Sequence, residues 1–146
     1  GLLTLNALVA ADEVLLPIQC EYYALEGVTQ LMRTIEAVRH AMNKGLRLGS
    51  ILMTMFDGRT RLSTQVDEEV RTHFARETMM TRIPRSVRVS EAPSYSRSVL
   101  TYEPTSAGAV AYREAAAEFA RRHAGDDHST ETSVVEHHDA SDTKEG

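Results

Sequence analysis

Short, wholly apolar runs alternate along this chain with longer segments whose apolar residues recur every three or four positions. The runs VLLPI at 14–18 and ILM at 51–53 have no polar side chain, which is typical of strands buried on both faces of a parallel sheet. We predict strands within 14–18, 46–56 and 78–83, and helices within 2–11, 24–42, 61–75 and 106–123, the last capped by Ser106. This alternation predicts an α/β fold with a mainly parallel sheet and helices on both faces.

Ligands of such folds bind beyond the carboxyl ends of the strands. The segments 19–23, 54–61 and 84–94 are therefore the candidate site segments. The three predicted strands make only part of a doubly wound sheet, so we expect an apolar edge to be exposed. Because the chain begins with Gly1 and not with Met, we expect the amino terminus to be cut.

Charge divides the chain into two parts. Residues 1–123 carry 15 Lys+Arg and 14 Asp+Glu, whereas residues 124–146 carry one Lys and seven Asp+Glu, which together give the net charge of −5. We predict one folded unit over 1–123 and a disordered acidic tail over 124–146. No apolar run approaches the ~18 residues of a membrane span. The single cysteine, Cys20, lies in an apolar context and is expected in the core, and no metal-ligand spacing is present.

A cationic segment follows the third predicted strand. Arg82, Arg85 and Arg88 are spaced by three, and Pro84 and Pro93 bracket the segment. Proline restricts its own backbone and that of the preceding residue, so we predict an ordered loop without helix, followed by an extended piece over 99–102. Such a loop suits contact with phosphate or nucleic acid. The alternative is a solvated loop whose arginines pair with nearby carboxylates.

Five longer motifs narrow the interpretation. They are GLLTLNAL at 1–8, PIQCEYYALEG at 17–27, LMTMFDGRTRLSTQV at 52–66, IPRSVRVSEAPSY at 83–95 and YEPTSAGAVAY at 102–112. In this order and spacing, residues 1–122 resemble the C-terminal half of the ParA/Soj family of chromosome- and plasmid-partitioning ATPases. The resemblance implies the C-terminal half of a doubly wound P-loop NTPase domain. It also implies ATP and Mg²⁺ as cofactors of the parent protein, an ATP-dependent homodimer, nonspecific DNA binding, a ParB-like partner, and a cytoplasmic, nucleoid-associated location.

One departure from the family pattern limits what this chain can do alone. No Gly-rich loop followed by Lys-Ser/Thr occurs in the sequence, and the Walker B aspartate is also missing. The amide cradle, the lysine and the magnesium-binding hydroxyl of the phosphate site are therefore absent. We name no catalytic or metal-binding residue, and we expect the chain alone neither to hydrolyse ATP nor to bind it tightly.

The resemblance also implies roles for individual residues. Arg59 in FDGRT and Arg88 in SVRVS match positions that resemble the family's DNA-binding arginines, and Arg61 is a third candidate. Contacts from such arginines would be to phosphate and insensitive to sequence. The alternative is surface arginines in weak ion pairs, each worth ~0–1 kcal/mol.

Two further groups of residues resemble functional regions of the family. Met55, Pro84 and Arg85 lie at strand ends near the implied nucleotide pocket, where an apolar side chain and a proline could hold a purine. The residues near the implied dimer interface are Gln19, Glu21 and Tyr22. Ordinary strand-end packing and support of the fold are the alternatives for these two groups.

Three other functions are alternatives to this interpretation. A MinD-like division-site ATPase typically ends in a basic amphipathic membrane helix, whereas this tail is acidic and aperiodic. A stand-alone, non-catalytic module that binds DNA or a partner without a P-loop would require a start codon close to Gly1. An unrelated flavodoxin-like domain would need a phosphate-binding loop, which the sequence does not contain.

Overall fold

The computed structural model describes residues 1–131, with side chains through Gly125. The elements are α1 (Leu2–Ala10), β1 (Glu13–Gln19), α2 (Ala24–Ala41), β2 (Arg47–Phe56), α3 (Arg61–His73), β3 (Thr78–Pro84), α4 (Val87–Glu91), a 3₁₀ turn (Ala92–Tyr95), α5 (Val99–Tyr102) and α6 (Ala107–Glu131). The predicted strands and the four predicted helices are all present, with ends that shift by a few residues at most except at the end of α6.

The three strands of the described chain form one parallel sheet in the order β1-β2-β3. In this register Leu16 lies opposite Ile51, and Phe56 lies opposite Pro84. The central strand is the most deeply buried, with Ile51 and Met53 fully enclosed. The predicted parallel α/β fold is therefore confirmed, and all three strands end at the same edge of the sheet.

Helices cover both faces of the sheet. On one face, Val28 and Ile35 of α2 and Val66 of α3 join the core around Ile51. On the other face, Ala111 and Ala115 of α6 pack against Leu52, Met79 and Ile83. This two-sided burial explains why the strands are apolar runs and not alternating patterns.

An apolar part of the sheet remains exposed at β1. Pro17 lies opposite Leu52 in the register, so Pro17 and Leu15 lie on the face that α6 covers further along the sheet. The helix packs mainly on β3 and meets β1 at its first residue, where Nε2 of His123 lies 2.8 Å from Oε2 of Glu13, and Leu15 is 45% exposed. The expected apolar edge is therefore present in the described part of the chain.

The prediction of a loop without helix at 84–94 is wrong. Residues Val87–Glu91 form α4, and Ala92–Tyr95 form a 3₁₀ turn. Proline does not prevent this arrangement, because Pro93 sits at the start of the 3₁₀ turn, where its missing N–H is not needed. Helix α4 packs directly on α6: a Cβ at Gly108 would lie 2.6 Å from Cγ2 of Val89, so only glycine permits this approach.

The predicted extended piece at 99–102 is also wrong. These residues form the single helical turn α5, in which the Tyr102 N–H donates to the Ser98 carbonyl at 2.9 Å. Burial of Val99 against Ala92 and Ala109 accounts for the difference, since tertiary packing readily overrides the weak local preference of a short apolar run.

The last helix begins as predicted and ends later. Ser106 Oγ accepts the N–H of Ala109 at 3.3 Å, which is the expected N-terminal cap. The helix then continues past His123 to Glu131, so the predicted tail overlaps it over 124–131. The remainder of the predicted disordered tail, 132–146, lies outside the described residues. Over the residues that can be described, no helix combines the length and apolarity needed to cross a bilayer.

Candidate functional site at the carboxyl ends of the strands

The ends of the three strands are joined by backbone hydrogen bonds. The Cys20 N–H donates to the Thr54 carbonyl at 3.1 Å, and the Arg85 N–H donates to the Phe56 carbonyl at 2.9 Å. The three predicted site segments therefore meet along one edge, where Phe56 of β2, the residue after Met55, lies opposite Pro84 of β3. We call this edge, with the turn and helices that follow it, the strand-end surface (residues 19–23, 55–61 and 84–91).

The turn after β2 contains a two-point ion pair. Nε and Nη2 of Arg59 each donate to a different oxygen of Asp57, both at 2.9 Å, and the Arg59 backbone N–H donates to Oδ1 at 3.1 Å. These hydrogen bonds lower the pKa of Asp57 to about 2, so the carboxylate is charged at neutral pH. The Arg59 side chain is nevertheless 89% exposed, which leaves its outer edge in contact with solvent.

The same turn is fixed to the start of α3. Thr60 caps the helix, since its Oγ1 accepts the Ser63 N–H at 3.2 Å, and the Ser63 Oγ accepts the Asp57 N–H at 3.1 Å. Arg61 is the first residue of α3 and is exposed. An open groove of about 530 Å³ runs along this turn and is lined by residues 58–61 with Thr64, Gln65 and Glu68. The capped turn thus presents Arg59 and Arg61 from a well-ordered backbone.

Met55 has an unusual backbone conformation. Its φ of 53° lies in the left-handed region, which a non-glycine side chain enters at a cost of roughly 1–2 kcal/mol. The conformation coincides with a register shift between Met53 and Phe56 where β2 meets β3, and the Met55 side chain is 38% exposed. Left-handed residues of this kind cluster at ligand sites, so the strain marks this strand end as a candidate for binding.

Arg88 lies on α4 among acidic and aromatic side chains. Its Nη1 donates to Glu91 Oε2 at 3.2 Å. The charge of Glu103, followed by that of Glu91, raises the pKa of Arg88, with a smaller contribution from the hydroxyl of Tyr102. The Tyr102 ring stacks on Tyr95, with 4.9 Å between the ring centroids. Arg88 therefore interacts with two carboxylates and the Tyr102 hydroxyl.

Arg82, Arg85 and Arg88, the three spaced arginines, have different environments in the structure. Arg82 donates through Nε and Nη2 to the buried carboxylate of Asp67 at 2.9 and 2.7 Å and lies over the Phe56 ring. For Arg82 the structure shows the alternative interpretation, pairing with a carboxylate. Arg85 is exposed, and its charge contributes to the lowered pKa of Asp57, which places it near Arg59.

The third segment of the surface follows β1. Gln19 ends the strand, the Ala24 N–H donates to the Glu21 carbonyl at 3.1 Å, and Tyr22 is 79% exposed. Cys20 between them is buried, as predicted, and burial raises the pKa of its thiol to about 11. Within residues 1–125, no group of three or more His, Cys, Asp or Glu side chains could hold a metal ion.

Sequence reasoning missed the acidic partners of the arginines. Asp57 lies two residues before Arg59 in the FDGR turn, and this spacing is the signal that could have identified the pair. Glu91 lies three residues after Arg88, a spacing that brings side chains together only on a helix. Because α4 was predicted as loop, that pair could not be recognised.

Comparison with known proteins is consistent with this architecture. A family described as "AAA domain" matches residues 1–48. The chromosome-partitioning ATPase Soj of Thermus thermophilus is 52% identical over 120 residues, 82% of this chain and 48% of Soj. The sporulation initiation inhibitor protein Soj of Bacillus subtilis is 49% identical over 82% of this chain and 47% of its own length. The chain thus spans about half the length of the curated relatives it matches.

Solved structures show the same fold. Cobyrinic acid a,c-diamide synthase from Mycobacterium smegmatis matches with a TM-score of 0.59 and 37% identity over 78% of this chain and 40% of the synthase. The same enzyme with bound ADP and magnesium matches equally well, with a TM-score of 0.59. The parallel sheet and these neighbours together place the chain in the α/β fold of P-loop NTPases.

The sequence relationship is more specific than the fold. At about half identity over four fifths of its length, the chain is a homologue of the Soj/ParA chromosome-partitioning ATPases. The resemblance seen in its motifs is confirmed.

Proposed function

We propose that the chain is the C-terminal part of a ParA-like partitioning ATPase and carries the DNA-binding arginines of that protein. The observation that supports this role most directly is Arg59, which is 89% exposed at the tip of a turn that is capped on α3 and fixed to Asp57. A guanidinium held in this way can contact a phosphate with little further loss of side-chain freedom.

Arg88 and Arg61 extend the proposed DNA surface. Both are exposed, and both follow the carboxyl end of a strand, as Arg59 does. Because all three are arginines without an adjacent base-reading element, the proposed contacts are to phosphate and independent of DNA sequence. Each contact contributes about 0.9 to the slope of log K against log salt concentration.

The nucleotide role is proposed for Met55, Pro84 and Arg85. Met55 precedes Phe56, the residue paired with Pro84 across the two strand ends, so an apolar side chain and a proline are available for a purine ring, and Arg85 supplies a charge next to Pro84. In the complete protein we propose that ATP and Mg²⁺ bind at this edge of the sheet, and the structural relative is known with a bound ATP analogue and magnesium. Hydrolysis by this chain alone is not part of the proposal.

Dimerisation and partner binding complete the proposal. Gln19, Glu21 and Tyr22 form an exposed corner at the same edge, where a second copy of the protein would approach the bound nucleotide. A ParB-like partner and association with the nucleoid are proposed because the relatives are named chromosome-partitioning proteins.

Substitution of single arginines in the complete protein that carries this chain tests the DNA role. Arg59→Ala and Arg88→Ala should each weaken ATP-dependent binding to random-sequence duplex DNA and lower the salt slope by about one unit. Arg33→Ala is the matched control, because Arg33 is an exposed arginine on α2, away from the strand ends. Unchanged affinity and slope in both test variants would refute the proposal.

A further inference from the structure

The ion pair of Arg59 leaves part of the guanidinium available. A guanidinium carries five N–H donors. Asp57 accepts from Nε and Nη2, which lie along one side of the group. Both donors of Nη1 and one of Nη2 remain, of which one donor of each nitrogen points to the outer end, and the side chain is 89% exposed. That outer end has the fork geometry that binds a phosphate through two hydrogen bonds.

Arg88 is paired in a different way. Its hydrogen bond to Glu91 comes from Nη1, at the outer end of the guanidinium, and is a single contact of 3.2 Å. Glu91 therefore accepts from one of the two nitrogens that form the outer end of Arg88, whereas Asp57 accepts along the side of Arg59. The two carboxylates have the same charge but should have opposite effects on an approaching phosphate.

We propose that Asp57 is a positioning residue that holds the outer end of the Arg59 guanidinium toward a DNA phosphate. The inference rests on the proposed DNA-binding function and adds a residue that carries the wrong charge for a DNA contact. Asp57 acts through Arg59 alone, because its two oxygens receive the two side-on donors and the backbone N–H of that residue. The turn and the capped start of α3 fix the carboxylate in place.

The sign of the effect separates this role from simple electrostatics. Asp57→Asn removes a negative charge from the strand-end surface, so long-range attraction alone predicts tighter DNA binding. The positioning role predicts weaker binding, by about two- to fivefold, the range of an exposed ion pair, together with a smaller salt slope. The asparagine keeps an Oδ1 acceptor for the Arg59 backbone N–H, so the turn is retained.

Two matched variants sharpen the test in the complete protein, with ATP and random-sequence duplex DNA as the probe. Glu91→Gln removes the same charge from the other arginine and should leave affinity unchanged or raise it. Arg59→Lys retains the charge and leaves Asp57 in place, but an ammonium cannot bind carboxylate and phosphate through fixed forks. Arg59→Lys should therefore weaken binding to the same degree as Asp57→Asn.

A double-substitution cycle shows whether Asp57 affects DNA binding through Arg59. In an Arg59→Ala background, Asp57→Asn should no longer weaken binding. If Asp57→Asn strengthens binding in the wild-type background, or weakens it equally without Arg59, the positioning role is overturned while the DNA role of Arg59 stands. If Arg59→Ala itself changes nothing, both proposals fall.

Discussion

The buried carboxylate of Asp67 should be a large single contributor to the stability of this fold. Its side chain is 3% exposed and accepts four hydrogen bonds, two from Arg71 at 2.8 and 3.2 Å and two from Arg82 at 2.9 and 2.7 Å. It thereby ties α3 to β3. Asp67→Asn preserves the shape but removes the charge that both guanidinium groups share.

The expected cost of this substitution follows from the exposure of the partners. Removing one member of a fully buried ion pair costs about 3–5 kcal/mol. Arg71 and Arg82 are 21% and 38% exposed, so water can partly replace the lost carboxylate, and Arg71 keeps its bond to the Met79 carbonyl at 2.8 Å. We therefore expect Asp67→Asn to lower the free energy of unfolding by about 2–3 kcal/mol.

Urea-induced unfolding followed by circular dichroism measures this change. The control is Glu36→Gln, which removes the carboxylate of an exposed pair with Arg39 and should cost less than about 1 kcal/mol. A loss below about 1 kcal/mol for Asp67→Asn, equal to that of the control, would refute the reasoning.

The pH dependence of the same variant gives an independent check. Burial alone would raise the pKa of Asp67, but hydrogen bonds and charges from Arg71 and Arg82 outweigh it, and the pKa is lowered. A carboxyl whose folded pKa is lowered stabilises the fold fully above its unfolded pKa of about 3.9, and this stabilisation is lost as the pH falls through the folded value. The stability difference between wild type and Asp67→Asn should therefore narrow below about pH 4, and a constant difference would contradict the assignment.

One substitution and one chemical modification test the packing around Gly108 and the burial of Cys20. Gly108→Ala should destabilise the protein by about 1–3 kcal/mol, because the new Cβ would lie 2.6 Å from Cγ2 of Val89. Adding Val89→Ala to this variant should restore most of the decrease in the urea concentration at the unfolding midpoint. The thiol of Cys20, with a pKa of about 11 caused mainly by burial, should resist iodoacetamide at pH 8 in the folded protein and react readily in urea; rapid alkylation of the folded protein would show that the thiol is not enclosed.

The elements predicted correctly from the sequence are those whose burial produces an apolar run or a recurring pattern of apolar residues. Ile51 and Met53 are fully enclosed between helices, so the apolar run around them is a direct consequence of the parallel sheet. Helices α4 and α5 leave no such trace, because each is about one turn long and is stabilised by packing on α6. Gly108 is the residue that permits this packing, and nothing local to Val87–Glu91 indicates a contact with a helix that begins near residue 107.

Much of the candidate site is also predictable. Once the parallel strands are predicted, the edge of the sheet at which they end follows from their order. The left-handed backbone of Met55 is not predictable, since it depends on a register shift against β3. The pairing of Arg88 with Glu91 is also not predictable, because it depends on helix α4, and the prolines led to the prediction of a loop there. Where the arginines point is therefore a property of the tertiary structure, whereas their presence at the strand ends is a property of the sequence.

Five arginines of the described chain fall into two groups that composition alone cannot distinguish. Arg71 and Arg82 converge on a buried carboxylate, and Arg122 donates to backbone carbonyls near the amino ends of β2 and β3. These three use their donors to hold helices onto the sheet. Arg59 bonds a carboxylate in its own turn, Arg88 bonds Glu91 of its own helix and interacts with Tyr102 and Glu103 of the next one, and the two remain 89% and 54% exposed. An exposed guanidinium that binds no buried carboxylate and lies where the strands end is available for a ligand, which is why we assign phosphate contact to Arg59 and Arg88 and not to Arg82, although Arg82 and Arg88 lie in the same cationic segment.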